Sequence, residues 1–198
     1  YMTSCLIDSC FLNNSILYLE SRATTISHIC CNSLDGAKNA YPLFLYSTQP
    51  HDTFFKFIYS TIYGTNTDTL ARGIIELTGH GALRYQCINT SNFVLPDHDQ
   101  IALRIVAASC LTMLMNSFYK LDAQIIFFLN VQAGGFEKYT HLCGMSNFCS
   151  IKQRDAFFYL DMQSRTSFLI DECYFSDIEN SARGIVFRGI NGNSEICI

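Results

Sequence analysis

Charge is scarce in this chain. Only 15% of its 198 residues are Asp, Glu, Lys or Arg, against 49% hydrophobic. That balance excludes a disordered chain, which needs high charge and low hydrophobicity. A net charge of −4 leaves no basic footprint for nucleic acid. No Lys/Arg-rich run marks an anionic membrane surface. Long apolar runs are missing too. The most apolar stretch, Ile105 to Phe118, contains Asn116 and falls short of the roughly 20 residues a spanning helix needs. No C-x-x-C pair occurs among the ten cysteines, so zinc-ribbon and thioredoxin-like readings have little support. Tryptophan is absent, while Phe and Tyr number 16 and 11.

Repetition is present instead. Cys5-Leu6-Ile7-Asp8-Ser9-Cys10-Phe11-Leu12-Asn13-Asn14 aligns with Phe168-Leu169-Ile170-Asp171-Glu172-Cys173-Tyr174-Phe175-Ser176-Asp177, with four identities. Each unit reads as a short apolar strand, a tight turn, a second strand and a looser return. First strands begin at Ile16, Leu43, Gly73, Leu103, Ile125, Phe157 and Gly184. Turns are expected at Gly79-His80-Gly81, Ala133-Gly134-Gly135 and Asn191-Gly192-Asn193, where Gly and Asn accept positive φ. Frequent Phe, Tyr, Val, Ile and Thr favour strands. The one helix-like segment, about Gln100 to Leu121, reads better as two strands around Ser109-Cys110.

The fold expected is all-β: a right-handed parallel β-helix of about seven coils, one domain over residues 1–198. Tyr1 and Ile198 read as the ends of a piece of a longer chain. Asn66–Asp68 and Pro96–Asp99 read as loop excursions. Cys30, Cys87, Cys143, Cys173 and Cys197 are expected to stack as one buried interior ladder. Asn32, Asn89, Asn116 and Asn147 would form a second, bonding along the stack at a bend. Stacked cysteines are expected to be mostly free, buried thiols, because a strand spacing of about 4.8 Å exceeds the usual Cβ separation of a disulfide.

Cys10-x-x-Asn13-Asn14 and Cys173-x-Phe175-x-Asp177, repeating behind short apolar strands, resemble the right-handed β-helix repeat family. The likeness is to large Cys- and Asn-rich surface proteins of protists, related in pattern to polymorphic outer-membrane repeats. It covers nearly the whole chain as a pattern and implies adhesion or display at a cell surface or outside the cell. Partners so implied are surface glycans or host and partner proteins; no cofactor is implied. Fold alone does not carry activity.

Site signals are sparse. Asn66-Thr67-Asp68, Gly79-His80-Gly81 and Arg104-Ile105-Val106 resemble, in order, the tripeptides of polygalacturonases. That likeness would give Asp68, His80 and Arg104 roles in cleaving a glycosidic bond, which needs a carboxylate acid and base. The family's paired aspartates are missing, and Val106 stands where that pattern has Lys. Asp97-His98-Asp99 offers acid–base or metal chemistry, but Pro96 beside it suits an exposed loop. His141, Cys143 and Cys149 lack a fourth zinc ligand. Asp52, Asp68, Glu76, Asp97 and Asp99 are too scattered for calcium. His28 could activate Cys30 or Cys31, although the apolar surroundings suggest that both are buried. On an outer face, Tyr59, Tyr63, Tyr85, Tyr119, Tyr139 and Tyr159 could stack against sugar rings; the alternative is core filling. Two classes follow: a non-catalytic surface or secreted scaffold, or a polysaccharide-active enzyme.

Overall fold

A computed structural model describes residues 1–8, 11–12, 17–21, 24–36, 41, 43–65, 71–97, 99–108, 110–131, 141–162, 167–180, 187–190 and 195–198. The described residues form fifteen strands and no helix, and every strand pairing is parallel. This is a parallel β-solenoid. Segment 100–121 is strand rather than helix, as expected, but it divides into three pieces instead of two: Ile101–Ala108, Cys110–Leu114 and the start of Ser117–Val131.

Three faces make up each turn. The first face stacks 17–21, 43–47, 73–79, 101–106, 125–131, 156–162 and 187–190. The second stacks 24–27, 55–58, 82–86, 110–114, 141–144, 167–171 and 195–197. The third stacks 5–8, 29–32, 60–63, 88–94, 117–122, 147–153 and 174–180. About four turns, between Phe55 and Asp161, carry described side chains on all three faces, fewer than the seven expected. The turns on either side are represented by paired strands with side chains described on part of the circumference. The third face is strand where the sequence suggested a loose return. Its outward residues are mainly Asn, Ser, Thr and Tyr, so no apolar run marks it. Gly79-His80-Gly81 is no turn: it lies within the strand Gly73–Val94, Gly79 pairing with Ser47 and His80 with Pro50. Ala133–Gly135 and Asn191–Asn193 lie outside the described residues.

The corners explain how the faces meet. Ser4, His28, Tyr59, Cys87, Met115, Met145 and Glu172, one per turn, hold φ between 48° and 55°. Five residues on, Ser33, Asn92, Lys120, Ser150 and Asp177 hold φ between 50° and 60°. Left-handed backbone is unfavourable for these side chains, and it persists where surrounding contacts over-determine it. Those contacts come from the residue after the first corner. Ser60 Oγ donates to the Ile58 carbonyl at 3.0 Å and accepts the Ile29 N–H of the preceding turn at 3.1 Å. Ser146 repeats this, donating to the Gly144 carbonyl at 2.9 Å and accepting the Asn116 N–H at 3.2 Å. Asn116 Oδ1 accepts the Ile88 N–H at 3.0 Å, and its Nδ2 donates to the Tyr85 carbonyl at 3.1 Å. The corner interrupts the backbone ladder, and a side chain from the next turn satisfies the amide left over. Asn116→Ala is therefore expected to cost about 2 kcal/mol, because two buried backbone groups lose their partners. Thermal melting measures the loss, and faster hydrogen exchange at the Ile88 amide locates it.

Register overturns the cysteine ladder. Cys30 shares a column with Thr61, Asn89, Ser117, Asn147 and Tyr174, and it points outward. Cys87 occupies a left-handed corner. Cys143 follows Phe57, Tyr85 and Met113, and pairs with Ile170. Cys173 stands one turn above Ser146, as Tyr174 stands above Asn147, and Cys197 above Leu169. Five cysteines occupy five columns. Since successive strand residues face opposite sides, an offset of one residue moves a side chain from core to solvent. The nine described cysteines are thiols, and only Cys31 and Cys143 of them are buried. The expected asparagine ladder is likewise split. Asn89 and Asn147 share the outward column with Ser117 between them. Asn32 is exposed and donates to Asp8 at 2.8 Å. Asn116 alone of these four takes the interior bonding position.

Aromatic rings fill the interior. Phe118, Phe148 and Phe175 stack on successive turns with centroids 5.3 and 4.8 Å apart. Phe127 and Phe157, from the first face, meet Phe148 edge-on at 5.7 and 5.2 Å. Tyr85 continues the stack from the second face, its ring 6.3 Å from Phe118 and its hydroxyl 3.1 Å from Thr90 Oγ1. Gly73 permits a close approach, since a Cβ there would stand 1.9 Å from the Ile101 carbonyl oxygen and 2.3 Å from the Tyr41 ring.

Candidate ligand-binding face

Two outward columns cover the third face. One carries Thr61, Asn89, Ser117 and Asn147; the other carries Tyr63, Ser91, Tyr119 and Cys149. Alternation fixes their direction, because Ile62, Thr90, Phe118 and Phe148 between them are buried. Tyr63 and Tyr119 are 42% and 41% exposed, two turns apart with the small Ser91 between them. Lys120 Nζ lies 5.2 Å from the Tyr119 ring centroid, a cation–π contact on the same edge. Those eight outward residues include no carboxylate. The surface therefore offers two rings for stacking, with amides and hydroxyls between them that both donate and accept hydrogen bonds.

The tyrosines singled out from sequence divide by environment. Tyr59 is 51% exposed at a left-handed corner, stacked on His28 at 5.5 Å. Tyr63 and Tyr119 lie on the third face as just described. Tyr85 is fully buried, which pushes its phenol pKa up and removes it as a surface ligand. Its strand alternation is regular, but sequence could not say which side faced in. Tyr159 sits on the first face, half-buried and stacked on Phe128 at 5.0 Å. Tyr139 lies outside the described residues.

Of the three residues that hinted at hydrolysis, only Arg104 has a described side chain. Asp68 lies outside the described residues, as does His98. His80 is placed only as backbone on the strand Gly73–Val94. Arg104 is held by Glu76 at 2.7 Å and lies 5.5 Å from the Phe128 ring. Asp97 and Asp99 are exposed beside a tied-down loop: Gln100 Nε2 donates to the Ala71 carbonyl at 2.6 Å, and Gln100 Oε1 accepts the Asp97 N–H at 2.6 Å. Arg154, from two turns on, donates to the Leu95 and Pro96 carbonyls at 3.0 and 2.9 Å and pairs with Asp122 at 2.6 Å. Among the described residues, no three His, Cys, Asp or Glu side chains converge as a metal site requires. His28 stacks on Tyr59, and Cys30 beside it is exposed where burial was expected.

One surface feature had no sequence signal of its own. On the first face Glu76, Arg104, Phe128 and Tyr159 form a continuous outward column of an ion pair, a cation–π contact and a ring stack. Their spacings of 28, 24 and 31 residues follow from register and are invisible before it is known. No helix long and apolar enough to cross a membrane occurs among the described residues, which leaves strands untested in that role. No protein-family model matches the chain, and no curated protein and no solved structure matches it either.

Proposed function

We propose that this chain is a non-catalytic β-solenoid scaffold that binds a glycan on the outer side of its third face. It would serve adhesion or display at a cell surface or outside the cell, as the likeness to Cys- and Asn-rich surface repeats implies. The right hand of the coil belongs to that same reading and follows the usual crossover rule. The observation that supports binding over catalysis is the pairing of Tyr63 and Tyr119 in one exposed column without carboxylates. Ring faces stack on the apolar side of a sugar, and the neighbouring Asn89, Ser117 and Asn147 can bond its hydroxyls. Parallel strands repeat this chemistry at about 4.8 Å steps, which suits a linear polymer.

Affinity electrophoresis of the purified chain through gels containing neutral and uronic-acid polysaccharides tests the reading. Retardation by at least one polymer is expected. The double variant Tyr63→Ala/Tyr119→Ala should weaken it about tenfold or more, since truncating contact aromatics costs about 1–2 kcal/mol each. Unchanged circular dichroism would confirm that the exposed substitutions left the fold intact. Equal retardation of both proteins would remove the third face as the site. Release of reducing ends from polygalacturonate would replace the scaffold reading with the enzymatic alternative.

A further inference from the structure

At one corner the recurring hydrogen-bonding residue is a cysteine. Ser60, Asn116 and Ser146 fill this position on earlier turns, and Cys173 fills it on the next. Its Sγ stands 3.5 Å from the Asp171 carbonyl, the contact that Ser60 and Ser146 make with residues two before them. It also stands 3.5 Å from the Cys143 carbonyl of the preceding turn and 3.9 Å from Cys143 Sγ. Cys143 is fully buried, while Cys173 is partly open to solvent.

We propose that Cys143 and Cys173 are a thiol–disulfide exchange pair that reacts with low-molecular-weight disulfides. The roles follow from access. Cys173 is the sulfur a small molecule can reach, and Cys143 is the sulfur behind it. In the first step the Cys173 thiolate attacks one sulfur of the disulfide RSSR. A Cys173–SR bond forms, the RS–SR bond breaks, and RS⁻ leaves. In the second step Cys143 gives up its proton, to RS⁻ or water, and attacks the Cys173 sulfur. The Cys143–Cys173 bond forms and the second RS⁻ leaves. The net change is two protein thiols and one RSSR converted to one protein disulfide and two RSH, so the small disulfide is the oxidant. Closing from 3.9 Å to the bonded distance of about 2.05 Å requires rotation of the less buried Cys173 side chain.

Local hydrogen bonding supports this division. The Cys143 thiol donates toward Cys173, with the Ser146 and Asp171 backbones as lesser influences, and together they lower the Cys173 pKa to about 7. The same bond, followed by burial, raises that of Cys143 well above its ordinary value. Near neutral pH Cys173 is therefore partly thiolate, while Cys143 stays a thiol. A thiol with pKa near ambient pH is the best placed to attack.

Mass spectrometry of the reduced full chain incubated with oxidised glutathione tests the proposal. Peptide mapping is expected to find Cys143 joined to Cys173, with the loss of two hydrogens at that pair and no glutathione on either residue, whatever adducts form at exposed thiols such as Cys30. Cys143→Ser is expected to trap the glutathione adduct on Cys173, and Cys173→Ser to form neither product at these positions. In the wild-type chain, the rate of Cys173 alkylation should reach half its maximum near pH 7, shifting upward in Cys143→Ala, which removes the donor. A stable wild-type adduct on Cys173, a cross-link confined to other cysteines, or no reaction would each overturn the proposal. Should a variant fail to fold, mapping and the wild-type pH profile still decide.

Discussion

Phe148→Ala is expected to destabilise the chain by about 4 kcal/mol, in the range for truncating a buried aromatic. Phe148 is 0% exposed and stands where three strand levels and two faces converge. Its ring stacks on Phe118 below and Phe175 above and meets Phe127 and Phe157 edge-on. Truncation removes the shared partner of all four. Backbone pairing on both sides of the turn limits collapse into the space, so the cavity term stays large. For a chain of this size such a loss lowers the melting temperature by about 8–16 °C. Differential scanning calorimetry provides the measurement. A shift of only a degree or two would mean that the ladder repacks freely and that the described core is wrong at its centre.

Cys143→Asp should be at least as damaging, by about 4 kcal/mol or more, for a different reason. The site is 0% exposed, with Met113 below and Ile170 above in the same column. An ionised carboxylate has no cation to pair with among these neighbours, and burying an uncompensated charge costs about 3–5 kcal/mol. The sign of the pH dependence separates this from a packing defect. Burial raises the folded-state pKa of the new carboxyl, so its penalty is smallest while the group is protonated. The penalty grows as pH rises above the unfolded value of about 3.9. Melting curves at pH 4 and pH 8 should place the variant nearer to the wild type at the lower pH. A melting temperature within a degree of wild type at pH 8 would show that Cys143 is not interior.

Apolar runs of four or five residues, spaced 22 to 32 apart, made the first and second faces legible, and with them the parallel coil. The third face was not, because its inward residues are separated by mostly polar outward ones and by two left-handed corners. Those corners also defeated column assignment. The aligned decapeptides set Cys10 against Cys173, yet register places Cys5 beside Ile29, in the corner column that reaches Cys173 through Ser60, Ile88, Asn116 and Ser146. The alignment is offset by five residues from the register, so it missed Cys5 as the residue in that column. No residue type marks a corner: Ser, His, Tyr, Cys, Met and Glu all occupy the first. Of the candidate surface, Tyr63 and Tyr119 could be named from composition. Their shared column could not, since it depends on register carried through Ser91.

The corner bonds also give the fold a direction in time. Ile29's amide waits for Ser60, Ile88's for Asn116, and Asn116's for Ser146, so these three levels are completed only by chain about thirty residues downstream. A nascent polypeptide emerging amino end first therefore always carries one unfinished layer at its growing end. Synthesis and closure advance together, and the most recently made rung is the one open to solvent until its successor arrives.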